Sequence, residues 1–372
     1  MLTVIPAMLI AQKRTRRVLF YPAQIKSTES FCMLKYLLPA IIASALMVSG
    51  CTQSGKSTPV AENSDKRPLL ESSPQKQEMV DTIGYNKKLA ALANGDTTGR
   101  WPVKHLAYPM KGAILPYKRI VAYYGNLYSK RMGVLGEYTP DTLWEMLRKE
   151  MKAWETVDPS TPVQPAIHYI AVVAQGNPGK DGKYRMRMPA HQIDSALTIA
   201  KMGNAIVFLD VQVALSNLRD EVPLLEKYLK MPHVHLAIDP EFSMKDGSLP
   251  GKKIGTFDAE DVNYCSAYLA DLVKQYNLPP KILIVHRFTQ GMITNYKQIR
   301  HHQEVQMVMN MDGWGAPYLK YDTYRQYIFR EPVQFTGFKL FYKNDLKRPP
   351  HHMLTPAEVI NLKPKPIYIQ YQ

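Results

Sequence analysis

From Lys118 onwards, short apolar runs alternate with longer amphipathic ones. The apolar runs fall at 119–125, 166–174, 205–212, from Val234 into Asp239 and Glu241, then at 281–286, 305–312, 335–341 and 366–371. Each is short, rich in β-branched and aromatic residues and apolar on both faces, as a strand covered on two sides must be. Between them the pattern predicts helices. Thr139 caps one, with Pro140 at its first position, running to about Glu155. Further helices are predicted over 189–203, 217–230, 258–276, 295–302 and 317–329, with a brief turn opening at Thr355. Asp258 caps the long one; Asp261, three residues on, is expected to be too short to close a capping box. Strands alternating with helices imply a parallel sheet, and eight of them favour a closed α/β barrel of the (β/α)8 (TIM) type over 118–372. Residues 81–117 read as an extension lying against that barrel, with a short helix near 85–93.

The first 80 residues read differently. Residues 52–80 are rich in Ser, Pro, Lys and Gln and poor in aromatics, the composition of a disordered tether. Ahead of it, residues 33–50 combine a basic start, an apolar core and small residues, which reads as a secretory signal within a signal region of 1–50. The apolar stretch is shorter than a membrane span of about 20 residues. Met33 would be the true start. Val48-Ser-Gly-Cys51 resembles the bacterial lipobox, in which the cysteine is lipidated and becomes the mature N-terminus; Cys51 would then carry the anchor of an exported lipoprotein on a cell or outer membrane, facing the periplasm or exterior. Of the three cysteines, Cys32 and Cys51 belong to the processed region, and Cys265 sits in a helical pattern as a small buried hydrophobe. The net charge is +15, and removing residues 1–50, with six bases and one acid, leaves +10. Such a surface favours anionic partners; on an exported protein, lipid headgroups and acidic glycans come before nucleic acid.

The predicted barrel brings the C-terminal ends of its strands to one mouth, where such barrels keep their chemistry. Asp210, Asp239, Glu241 and Asp312 stand there, with Tyr123, Tyr124, Gln175, His286, Gln290, Trp314 and Tyr371 as candidates for binding substrate. Gln212, Arg287, Lys339, Asp345 and Tyr368 complete the polar strand ends. Acids packed together raise one another's pKa, so one stays protonated while a neighbour ionises. Glycosidic cleavage needs that division, and aromatic faces suit sugar rings.

Ile238-Asp-Pro-Glu241 is similar to the Asp-x-Glu that ends strand four of family-18 chitinase-like hydrolases, and to that of family-25 lysozyme-like muramidases. Met309-Asn-Met-Asp312 resembles the strand-six motif of the chitinase-like group, and Val121-Ala-Tyr-Tyr-Gly125 resembles its first strand. The resemblance implies that Glu241 is the acid, that Asp239 orients a substrate acetamido group and that Asp312 assists. The chain departs from the pattern at Val234 and Ala237, at Met311, and at Asp210, where a glycine-rich end is absent. The leading expectation is a glycoside hydrolase without cofactor or metal, acting on a polysaccharide. A noncatalytic lipoprotein binding glycan or protein is the alternative. A metal-dependent hydrolase using Asp210, Asp239, Glu241, His286 and Asp312 is a further one. A phosphate-binding glycine loop, a cysteine cluster and a Gly-x-Ser-x-Gly motif are all missing, which argues against nucleotide and serine-hydrolase chemistry.

Overall fold

The computed structural model describes residues 81–372. The signal region, Cys51 and the tether lie outside the described residues. Eight parallel strands form the barrel: β1 (Arg119–Gly125), β2 (Val163–Ala174), β3 (Ile206–Val211), β4 (Val234–Ile238), β5 (Lys281–Arg287), β6 (Val305–Met311), β7 (Phe335–Leu340) and β8 (Tyr368–Tyr371). Each pairs with the next, and β1 pairs with both β8 and β2, so the sheet closes on itself. These are the eight runs predicted from the pattern. A short strand, Arg185–Arg187, adds antiparallel to the end of β2 within the loop that follows it.

Alternation sorts the side chains into two layers. Ile120, Ala122, Phe208, Ala237, Ile284 and Val308 pack in the lumen. Val121, Tyr123, Leu209, Leu236, Leu283 and Tyr371 pack outward with the helices. Gly337 leaves room in the lumen for its neighbours: a Cβ there would meet Asn310 Oδ1 at 2.5 Å and the Tyr368 ring at 2.9 Å. The N-terminal end is plugged by the extension. Helix α1 (Thr82–Ala93) and residues 114–117 bring Tyr85 and Leu115 into the lumen cluster. Gln306 anchors the plug, accepting from the Ile114 and Leu115 N–H groups at 3.0 Å.

The helices follow their caps. In α2 (Pro140–Val157) the Thr139 side chain accepts from Thr142 N–H, and Leu143, Trp144, Leu147 and Trp154 form the buried face. Helix α3 (Ala190–Lys201) follows Pro189. Helix α4 (Ala259–Tyr276) starts at Asp258, and Asp261 does close the capping box: its carboxylate accepts the Asp258 N–H at 2.7 Å. Cys265 lies fully buried on this helix. Two predicted helices are broken, and a third, over 317–329, forms with a change of winding. Over 217–230, Pro223 splits the segment into single turns, because it has no N–H to continue the ladder. Over 295–302 only a turn of 3₁₀ helix forms after Asn295, which is left-handed at φ 55°. Helix α5 (Pro317–Thr323) widens into a π-helical stretch, Tyr324–Phe329.

Candidate functional site

The mouth is built on the inward parity of the strands. Tyr124, His168, Asp210, His286, Asn310, Lys339 and Gln370 belong to the inward-facing set. Asp239 and Asp312 follow directly after β4 and β6. Strand β4 ends at Ile238, and Pro240–Phe242 form a 3₁₀ turn. Asp239 caps that turn by accepting the Glu241 N–H at 3.1 Å. The two carboxylates are therefore brought together by a capped turn, where strand alternation had been the expected reason. Gln212 locks Asp239 from the other side, donating to it at 3.1 Å.

Beneath them runs a charge network. His286 Nδ1 lies 2.9 Å from Asp312, and Lys339 Nζ lies 2.8 Å from the other Asp312 oxygen. The Lys339 ammonium also sits 3.8 Å over the Tyr124 ring. Asp210 is fully buried, with its Oδ2 3.4 Å from the Nε2 of both His168 and His286. The charged His286 attracts the carboxylate at that distance, but neither contact makes a well-formed hydrogen bond: both Nε2 atoms and both Asp210 oxygens lack hydrogen-bond partners. The other ring nitrogen of His168 is held by the Tyr368 hydroxyl at 2.6 Å and by the Gln370 amide at 2.9 Å. Among the described residues, His168, Asp210 and His286 are the one group of three that could hold a metal ion.

This packing separates the acids into two kinds. Burial alone would raise Asp210, yet His286 and His168 outweigh it and hold the carboxyl far below its usual range. Asp312 is likewise lowered against its burial, by Lys339 and His286. His286 is raised to about 10, because Asp210 and Asp312 outweigh the burial that would lower it. His168 is lowered to about 4, chiefly by burial. Asp239 is raised to about 7, by burial and then by Asp210 and Asp312 against the pull of His286. Glu241 is raised to about 8, by burial and by the charges of Asp239 and Asp312. Its carboxyl is half-buried at the surface of the site and makes no hydrogen bond or ion pair among the described residues.

Of the predicted site residues, Asp210, Asp239, Glu241, Asp312, His286 and Tyr124 converge. Tyr123 and Tyr371 do not. Both point away from the lumen, where the Tyr123 hydroxyl meets that of Tyr342 at 3.0 Å and Tyr371 accepts from Trp154 Nε1 at 3.0 Å. Each is one residue out of phase with an inward neighbour, Tyr124 or Gln370. Trp314 is half-buried on the rim between the cations of Lys347 and Arg348, at 5.6 and 5.7 Å. Gln175 is half-buried in the loop after β2, its N–H bonded to Tyr184. Gln290 is exposed and bonds Glu331, which also pairs with Arg287 at 2.6 Å. Arg287 therefore leaves Glu241 free. Asp345 is buried with Lys320, 2.8 Å away, and accepts the Gly315 and Phe341 N–H groups, pinning the loops after β6 and β7. His168 was missed because it lies mid-strand. Counting by twos from the lumen residue Ala166 would have found it. A cleft of about 540 Å³, lined by Tyr85, Pro102, Tyr108 and Gln334 among others, lies at the opposite end of the strands from these acids.

No protein-family model matches the chain, and no curated protein matches it. Among solved structures it is similar to a GH5-4 broad-specificity endoglucanase from Clostridium longisporum, at 9% identity and a TM-score of 0.36, over 70% of this chain and 86% of that one.

Proposed function

We propose that the protein is an exported, lipid-anchored glycoside hydrolase, with Cys51 as its anchor and Glu241 as its acid. The observation that carries the reading is the split among the acids: Asp210 and Asp312 are held ionised, while Glu241, unpaired at the mouth, is pushed up to about 8. Acids of opposite state within one site are what protonation of a glycosidic oxygen requires. Glu241 gives its proton to the leaving oxygen as the glycosidic bond breaks, and a water adds to the anomeric carbon and returns a proton to Glu241. Asp239, raised to about 7 and fixed by Gln212 and the Glu241 N–H, orients the reacting sugar. Asp312, paired with His286 and Lys339, holds those two cations in place beside the raised acids. Trp314, half-buried on the rim, is the aromatic surface among the predicted ones left to meet a sugar, and the substrate is a polysaccharide of the cell envelope or surroundings.

The test is release of reducing ends from a panel of peptidoglycan, chitin and β-glucan by the wild-type protein and by Glu241→Gln. The variant should lose turnover by about 100-fold or more while melting within a few degrees of wild type. Full turnover by the variant would remove Glu241 from the role. A second reading, noncatalytic glycan binding, draws on the outward turn of Tyr123 and Tyr371 and on the near-complete burial of Asp239 and Asp312. Saturable binding with no product from any member of the panel would favour it.

A further inference from the structure

We propose that His168, Asp210 and His286 form a tetrahedral site for a divalent ion of the zinc class, deep in the barrel below the acids of the mouth. Three observations carry it. The first is distance. Asp210 Oδ2 stands 3.4 Å from each Nε2. Ligands about 2.05 Å from a tetrahedral zinc stand about 3.35 Å apart. Cis neighbours on an octahedral ion at about 2.1 Å stand about 3.0 Å apart, so the spacing favours four-coordination. All three ligand atoms lie within 4.8 Å of one another.

The second observation is that the atoms facing the centre have nothing else to do. Both Nε2 atoms and both Asp210 oxygens are buried without a hydrogen bond. Buried polar atoms left unpaired are costly, and a cation among Asp210 Oδ2 and the two Nε2 atoms relieves three of the four. The third is the support behind the ligands. A metal-binding histidine is held by a partner on its other nitrogen. His286 Nδ1 lies 2.9 Å from the Asp312 carboxylate, which accepts its N–H, and His168 Nδ1 lies 2.6 Å from the Tyr368 hydroxyl, which takes the same part once the Gln370 amide is turned so that its otherwise unpartnered Oε1 faces them. Each imidazole is thereby fixed with its Nε2 aimed inward, and a bound ion takes the place of any proton carried there. The donors, two imidazoles and a carboxylate, suit zinc and its first-row neighbours better than calcium or magnesium. The set differs from the strand-end acids: His168 enters, and Asp239, Glu241 and Asp312 stay out of the first contacts.

The experiment uses the full chain, stripped with a chelator and titrated with Zn²⁺ by calorimetry and with Co²⁺ by visible absorption. The expected result is one ion per chain, cobalt bands of four-coordinate intensity, and a melting temperature that rises with metal. Asp210→Asn and His168→Gln should each weaken binding by about 100-fold or more, while Glu241→Gln should bind as wild type does. X-ray absorption on the wild-type cobalt form, which needs no variant to fold, should show two imidazoles and an oxygen ligand. No uptake by folded wild-type protein, as when a buried water fills the site, would overturn the proposal. So would uptake that survives Asp210→Asn or a ligand shell without imidazole. Either failure leaves Glu241 as acid untouched, because its test reads turnover and this one reads metal.

Discussion

The raised pKa of Glu241 makes stability depend on pH in a way that needs no substrate to observe. In the unfolded chain the carboxyl ionises near its ordinary 4.5, and in the fold near about 8. Between those values the folded state holds a proton that the unfolded state has lost. Stability from the neutral carboxyl is therefore complete below about pH 4.5 and is lost as pH rises through about 8. One proton's difference gives a slope of at most about 1.4 kcal/mol per pH unit, reduced because Glu241 is half-buried and its charge is shared with Asp239. Glu241→Gln keeps the shape and cannot ionise. Urea unfolding of both chelator-treated proteins, from about pH 5 to about pH 9, should show the variant gaining on wild type as pH rises, then levelling off above about 8. A gap that stays flat, or one that opens only below about pH 5, would refute the burial argument, and with it the assignment of Glu241 as the acid. If the argument holds, the same ionisation sets the alkaline limb of the rate profile.

Two further substitutions probe how the mouth is held. Lys320→Met leaves the fully buried Asp345 carboxylate with backbone donors but no cation, and should cost about 3–5 kcal/mol in urea unfolding; a loss below about 1 kcal/mol would mean that the loops after β6 and β7 are pinned by other contacts. Tyr123→Phe removes a hydroxyl contact outside the lumen and should cost roughly 0.5–1.5 kcal/mol with turnover unchanged; a fall in turnover as deep as that of Glu241→Gln would put Tyr123 inside the site.

The periodicity of the chain was enough to count the strands, because each is covered on both faces and is largely apolar. It was enough for the starts of α2 and α4, since Thr139 and Asp258 are local signals answered by local N–H groups. It also drew Asp210, Asp239, Glu241 and Asp312 to one end, because the order of strand and helix fixes where strand ends lie in a parallel barrel. Which side chain faces the lumen was a matter of parity, and a shift of one residue reverses it. In runs apolar on both faces nothing local marks that parity, so Tyr123 and Tyr371 read as equals of Tyr124 although they pack outward. The short segments 217–230 and 295–302 carried helical periodicity, and Pro223 and Asn295 overrode it. The pKa values belong wholly to the tertiary structure. Closure of the sheet places His168 and His286 on opposite sides of Asp210, strands apart in sequence, and buries the three together. A carboxylate's state depends on which charges share its low-dielectric surroundings, and only the closed barrel decides which ones those are.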